Sequence, residues 1–119
     1  MGVSSNALTE AVYYILLSLV QPMHGYGIMQ NVERLSGGRL RLAAGTLYGA
    51  ISTMLEKGWI TALDADGGSL TGSGSPAGKA DSRKKEYVIT DTGREMLRAE
   101  YARLQELVSN GRAVLEGEQ

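Results

Sequence analysis

The chain has 119 residues, 43% of them hydrophobic and 21% charged, with 12 basic against 13 acidic side chains, one His, no Cys and no Phe. A chain of this size builds one hydrophobic core without staples. Without Cys there is no disulfide and no thiolate metal site; with one His the usual zinc triads are excluded, and a Ser-His-Asp hydrolase would have to run through His24. Taken whole, a formal net charge of −1 argues against a nucleic-acid partner.

Residues 1 to 7 are small and polar, which predicts a frayed terminus. Leu8, Val12, Ile15, Leu16 and Leu19 then recur at helical spacing, and Ala11, Tyr13, Tyr14, Leu17 and Val20 make nearly the whole circumference apolar. The pattern predicts a buried first helix that stops near Gln21-Pro22, because the residue before a proline avoids helical backbone angles. Its apolar run is about half of the roughly 20 residues that cross a bilayer, and Ser18 interrupts it. No basic residue precedes the run and no small-residue cleavage site follows, so the expected location is the cytoplasm.

A second helix is predicted from about Tyr26, with Ile28, Met29, Val32 and Leu35 on one side and Ser36-Gly37-Gly38 as its stop. Gly25 and Gly27 flank Tyr26, which points to a tight turn into the helix where a larger side chain would clash. A third helix is predicted from about Thr46 to Lys57: Leu47, Ile51, Met54 and Leu55 form one apolar face, and Gly58 supplies a left-handed stop. The opposite face, with Thr46, Tyr48, Gly49, Ser52, Thr53, Glu56 and Lys57, is small, polar and able to approach another surface closely.

Trp59 to Leu63 and Glu86 to Ile89 read as the two strands of a β-ribbon. Asp64 to Ser82, between them, holds five glycines and a proline with no apolar period, which predicts a flexible hairpin tip. The last helix starts at Thr90-Asp91-Thr92-Gly93, capped either by Thr90 or by Thr92 in a capping box with Glu95. Leu97, Tyr101, Leu104, Val108 and Leu115 sit at heptad spacing, with Gly111 between the last two, while Arg94, Glu95, Arg98, Glu100, Arg103 and Glu106 keep the other face in water. A helix of about 25 residues with such a seam calls for a partner helix.

Three helices, a β-ribbon and a long helix, in that order, make a mainly α fold with a small β-ribbon (α+β): a winged helix-turn-helix with a C-terminal dimerisation helix. The expected division gives residues 1–90 to the DNA-binding domain, with its wing tip at about 64–82, and residues 91–119 to the dimerisation helix. In this arrangement the third helix enters the major groove and the ribbon tip lies against neighbouring phosphates. Counting charge by region changes the meaning of the near-neutral total. Residues 34–85 carry eight basic against four acidic side chains, a net of +4, whereas residues 1–33 carry −2 and residues 86–119 carry −3. Positive charge collects where a winged helix meets DNA, and only charge within a Debye length of the phosphates, about 8 to 10 Å, contributes strongly.

Three blocks resemble a known family when taken together: Met23-His24-Gly25-Tyr26-Gly27-Ile28; Gly45-Thr46-Leu47-Tyr48-Gly49-Ala50-Ile51 running into Leu55-Glu56-Lys57-Gly58-Trp59-Ile60; and Arg83-Lys84-Lys85-Glu86-Tyr87-Val88-Ile89-Thr90-Asp91-Thr92-Gly93. Their order and spacing are similar to those of the PadR family of bacterial transcriptional regulators, over about Leu8 to Leu107. The resemblance implies a homodimeric winged-helix repressor that binds a palindromic operator and releases it when a small apolar or aromatic effector binds. It also implies, as in the shorter members, a single C-terminal helix packed against the partner's first helix. The chain departs from the family pattern in having Gly49 after the Leu-Tyr pair, where proline is frequent, an unbroken Arg83-Lys84-Lys85, and a long glycine-rich hairpin.

On this reading Thr46, Tyr48, Gly49, Ser52 and Thr53 face double-stranded DNA. Their hydroxyls bond phosphates or base edges, and Gly49 removes a side chain from the approach. None of them offers a bidentate Arg-to-guanine or Asn-to-adenine contact, so DNA shape carries part of the specificity. Tyr26 reads equally as a phosphate contact at a helix N-terminus and as a core tyrosine. Arg83, Lys84 and Lys85 form the backbone clamp, with Lys84 directed away from its neighbours by strand alternation; Arg39 and Arg41 read as solvated loop charge or as reaching flanking phosphates. Trp59 reads as a core aromatic and His24 as a residue that fixes the turn after Pro22. Tyr13, Tyr14 and Leu17 with Met96, Leu97, Tyr101, Leu104 and Val108 line a dimer interface or an effector pocket. No catalytic site, metal or cofactor is expected. The competing reading is a winged-helix protein-interaction module without DNA binding.

Overall fold

The computed structural model describes residues 7–63 and 85–117. Among these, four helices and three strands run in the order α1 (Glu10–Ser18), β1 (Met23–His24), α2 (Gly25–Leu35), α3 (Ala44–Glu56), β2 (Ile60–Leu63), β3 (Glu86–Ile89) and α4 (Asp91–Leu115). The expected hairpin tip at 64–82, together with Arg83 and Lys84, lies outside the described residues.

Thr9 caps α1 by accepting a hydrogen bond from the Val12 N–H at 3.1 Å, and the helix closes at Leu19, whose N–H bonds the Ile15 carbonyl. Ile15, Leu16 and Leu19 are fully buried, and α2 and α4 both pack on the helix, which accounts for an apolar circumference that a surface helix would not need. Ser18, the polar break in that run, is buried but satisfied. Its hydroxyl donates to the Tyr14 carbonyl and accepts from the Asn31 amide, both at 2.9 Å, and so ties α1 to α2.

The α2 stop uses two left-handed glycines, Gly37 at φ 67° and Gly38 at φ 85°, with the Gly38 N–H bonding the Glu33 carbonyl at 2.8 Å. The third helix starts two residues before the predicted Thr46. It ends as predicted on Gly58 at φ 75°, where the Gly58 and Trp59 N–H groups return to the Leu55 and Met54 carbonyls in a Schellman arrangement. Leu47, Ile51 and Met54 enter the core as expected. Leu55 does not: it lies about 80° round the helix from Leu47 and is exposed at the edge of the stripe.

The expected two-stranded ribbon is a three-stranded antiparallel sheet in the order β1-β3-β2. Ile60 pairs with Ile89 and Ala62 with Tyr87, all four buried, while β1 sets Met23 opposite Tyr87 and His24 opposite Glu86. Two residues are too few to show a period of two, and β1 runs straight into α2, so pattern alone gives it no signal. The Ile89 N–H bonds the Leu19 carbonyl at 2.8 Å and fastens the sheet to the end of α1.

At the start of α4 the alternative caps resolve in favour of Thr90. Its hydroxyl accepts from the Gly93 N–H at 3.0 Å and donates to the Gly58 carbonyl at 2.6 Å, and its own N–H bonds the Trp59 carbonyl at 2.9 Å. One residue thus starts α4 and clamps it to the turn after α3. Leu97 and Glu100 carry the packing on to the end of the third turn, beyond which every apolar residue of α4 is at least partly exposed.

Candidate nucleic-acid interface

The core packing of α3 dictates its outer face. With Leu47, Ile51 and Met54 buried, Thr46, Tyr48, Gly49, Ser52 and Thr53 are all brought to the surface. A Cβ built on Gly49 meets nothing within 4 Å, so the face is open there. The Thr53 hydroxyl donates to the Gly49 carbonyl at 3.3 Å and keeps its lone pairs free to accept. Tyr48 is 39% exposed, and its hydroxyl end leans against Gly25 at the start of α2.

Tyr26 stands in that same first turn at 67% exposure, with its hydroxyl accepting from the Gln30 amide at 3.3 Å, so it is a surface tyrosine and not a core one. His24 precedes α2 as its cap residue without a side-chain capping bond, and among the described residues no other side chain accepts from the first N–H groups of the helix. Its ring is half exposed and its Nε2 sits 3.7 Å from the Glu86 carboxylate across the β1–β3 pair. The residue is therefore a strand partner more than a turn fixer. Lys85 is half-buried, one residue before β3.

The loop arginines have partners within the chain. Arg39 pairs with Glu10 of α1, Arg41 with Glu33 of α2 at 3.1 Å, and Arg34 bonds the Asn31 side-chain oxygen at 2.6 Å. The two ion pairs tie the α2–α3 connection to α1 and α2 and offset two of the positive charges of the central region, while the Arg34 bond lies within α2 and, made to a neutral amide, leaves that charge in place. Among the described residues, the positive charge of this region that has no acidic partner is that of Arg34 on α2, Lys57 on the turn after α3 and Lys85 before β3. Lys57 itself lies 5.5 Å above the Trp59 ring, which is half-buried beside the core.

The second predicted set divides into two. Leu97 is buried in the core of its own chain at 8% exposure and has little surface left for a partner, while Tyr14, Leu17 and Met96 are half-buried. Tyr13 meets Tyr14 edge to face at 6.3 Å and, with Tyr101, Leu104, Gln105, Val108, Ser109 and Arg112, lines an open groove of about 340 Å³. Val108 is 59% exposed, and Leu107, Val114 and Leu115, absent from the predicted set, are exposed on adjoining positions of the same helix. Leu107 and Val114 could have been found from their own seven-residue spacing.

Glu100 is the clearest correction. Placed by its charge on the watery face, it is 4% exposed, because it follows Leu97 by three residues and precedes Leu104 by four and so shares their side of the helix. Its carboxylate accepts two hydrogen bonds from the Arg103 guanidinium, at 2.6 and 2.7 Å, and one from the Leu8 N–H at 3.3 Å. The Arg103 hydrogen bonds lower its pKa below the ordinary glutamate range; burial opposes this and the Leu8 N–H adds to it. A depressed folded-state pKa contributes stability that is complete above the unfolded-state value and is lost as pH falls through the folded-state value. Glu100→Gln is expected to flatten the acid side of the stability–pH curve, measured by urea unfolding from pH 7 downward, and to lower stability at neutral pH.

A profile of the transcriptional regulator PadR-like family matches residues 14–99, from α1 into the third turn of α4. The chain belongs to the PadR-like family. As a PadR-like protein it falls among transcriptional regulators and not among enzymes. An uncharacterised 37.1 kDa protein of transposon Tn4556 from Streptomyces fradiae is 30% identical over 92 residues. That match takes in 76% of this chain and 22% of the relative, so the chain spans about a fifth of that protein's length. The fold is shared with a PadR-like transcriptional regulator of Bacillus cereus at 18% identity and a TM-score of 0.65, over 90% of this chain and 92% of that one. It is shared also with Bacillus subtilis PadR, solved in complex with operator DNA, at 21% identity and a TM-score of 0.51, over 74% of this chain and 45% of that one. The winged-helix reading of the element order therefore holds. Among the described residues, no helix is long and apolar enough to cross a membrane.

Proposed function

We propose that this PadR-like chain binds double-stranded DNA as a homodimer, acts as a repressor on a palindromic operator, and releases it when a small apolar or aromatic molecule binds. The observation that carries the reading is the outer face of α3. Four hydroxyl-bearing residues, Thr46, Tyr48, Ser52 and Thr53, stand exposed around an open Gly49, on a helix whose other side is fixed in the core. The operator complex of the Bacillus subtilis relative supports DNA as the partner. In this reading α3 lies in the major groove, Tyr26 and the uncapped start of α2 meet a flanking phosphate, and Arg83, Lys84 and Lys85 grip the backbone.

We assign α4 two tasks. Its first turns, through Gly93, Leu97 and Glu100, complete the DNA-binding domain, so the functional boundary lies inside the helix and not at residue 90. Its second half is the dimer arm, and the groove between Tyr13 and Val108 is the effector site, closed by the partner.

The test is salt dependence. Binding to fragments selected from genomic DNA is expected to weaken linearly in log–log form as salt rises. Lys84→Ala with Lys85→Ala is expected to reduce the slope by up to about 3.6, because the dimer loses four lysines and each neutralises at most one phosphate, worth about 0.9 in the slope. Fluorescence anisotropy across a salt series reads the slope. An affinity that ignores salt would remove DNA as the partner and leave the protein-interaction module as the better reading.

A further inference from the structure

Gly25 is a helical residue whose glycine has no backbone reason. The positive φ angles among the described residues belong to Gly37, Gly38 and Gly58, so Gly25, the first residue of α2, holds a conformation open to any residue. What it supplies is room. A Cβ at this position would stand 2.1 Å from the Tyr48 hydroxyl oxygen, 2.7 Å from the ring carbon bearing it and 3.2 Å from the next. The buried Gly25 is thus a notch in the first turn of α2 that receives the end of the Tyr48 ring from α3. Tyr87, buried on strand β3, has its pKa raised by burial first and by the nearby Tyr48 second, in keeping with a Tyr48 hydroxyl turned toward its own chain.

We infer that Tyr48 is a positioning residue for DNA binding: seated in the Gly25 notch, it holds the start of α2 and the outer face of α3 at a fixed spacing, so that both meet the duplex together. The inference rests on the DNA-binding reading above. It gives Tyr48 a different task from its hydroxyl-bearing neighbours, since its hydroxyl end is turned to its own chain and its effect on DNA passes through Tyr26 and the α2 N-terminus.

The clash that Gly25→Ala creates falls on the free end of a side chain, so the chain stays folded and Tyr48 swings out. A double-mutant cycle in full-length protein, read by anisotropy on a selected duplex and by amide chemical shifts of residues 25–27, tests this. Gly25→Ala and Tyr48→Ala are each expected to weaken binding at least about tenfold and to remove the ring-current shift from those amides, at little cost in Tm. Tyr48→Phe, which keeps the ring in the notch, is expected to retain both affinity and shifts, and the Gly25→Ala/Tyr48→Ala double variant to bind no more weakly than Tyr48→Ala. Full additivity in the double variant, wild-type binding by Gly25→Ala, or a Tyr48→Phe as weak as Tyr48→Ala would overturn the inference. A wild-type chain that binds no duplex would remove the DNA reading itself, while the amide shifts would still decide whether the ring occupies the notch.

Discussion

Gly93→Ala is expected to destabilise the chain by about 3 kcal/mol or more, at the upper end of what overpacking costs. The added methyl would stand 2.0 Å from the Trp59 carbonyl oxygen and 2.8 Å from an Ile89 side-chain carbon. The nearer of these is backbone and cannot swing aside. That carbonyl already accepts from the Thr90 N–H, and Thr90 at the same junction caps α4 through Gly93 and bonds the Gly58 carbonyl. To admit the methyl, α4 must lift off the turn after α3, which loosens all three bonds and draws Leu97 out of the core. Domains of this size hold about 5–15 kcal/mol in total, so the loss is a large fraction of the whole, and thermal unfolding should show Tm falling by more than about 10 °C. The contrasting variant is Gly49→Ala. There the methyl meets open space in a helix interior, and replacing glycine by alanine is worth up to about 1 kcal/mol in favour of folding. Its Tm should rise while affinity for DNA falls, because the same methyl occupies the surface proposed to approach the groove.

This contrast marks how much the sequence discloses. The helices were legible because each buries a continuous stripe whose period is written in Leu, Ile, Val and Met, and the stops were legible because Gly37, Gly38 and Gly58 adopt angles that other residues avoid. The outer face of α3 followed at once as the complement of a buried face. What stayed hidden depends on interactions between elements remote in the chain. β1 exists because β3, about sixty residues later, pairs with it; the Arg39–Glu10 pair and the Leu8–Glu100 bond join segments that no local window contains. Glu100 misled because its type suggests water while its position puts it under α1, and only the bidentate Arg103 and the Leu8 N–H make that burial tolerable. Gly25 and Gly93 were visible as glycines, but the atoms that require them, on Tyr48 and Trp59, were not.

Removing residues 104–119 is expected to turn a dimer into a folded monomer and to cost about a hundredfold or more in operator affinity. The cut spares Gly93, Leu97, Glu100 and Arg103, so the packing of α4 on its own chain survives; a cut before Gly93 would remove part of the core and could not separate folding from dimerisation. What it deletes is the half-buried Leu104, which borders Tyr13 in the groove, and Leu107, Val108, Val114 and Leu115, which continue the buried Leu97–Glu100 side of the helix and are more than half exposed. An apolar stripe of this length left in water favours association, and Gly111 within it lets a second helix come close. The affinity loss follows from geometry. A dimer presents two α3 helices to half-sites one helical turn apart, about 34–36 Å, and the second half-site is engaged at an effective concentration that a monomer lacks, a gain of about 10² to 10⁴. Val108→Glu in the full chain isolates the same effect without shortening α4, because the side chain is already more than half exposed and its replacement opens no cavity. Sedimentation velocity should give the monomer mass for both variants with helical content otherwise retained, and anisotropy on a single half-site should show them binding as the wild type does. A dimer that persists in both variants would move the interface off α4; a monomer that still grips the full operator as tightly as the wild type would show that the two half-sites are not held together by the protein.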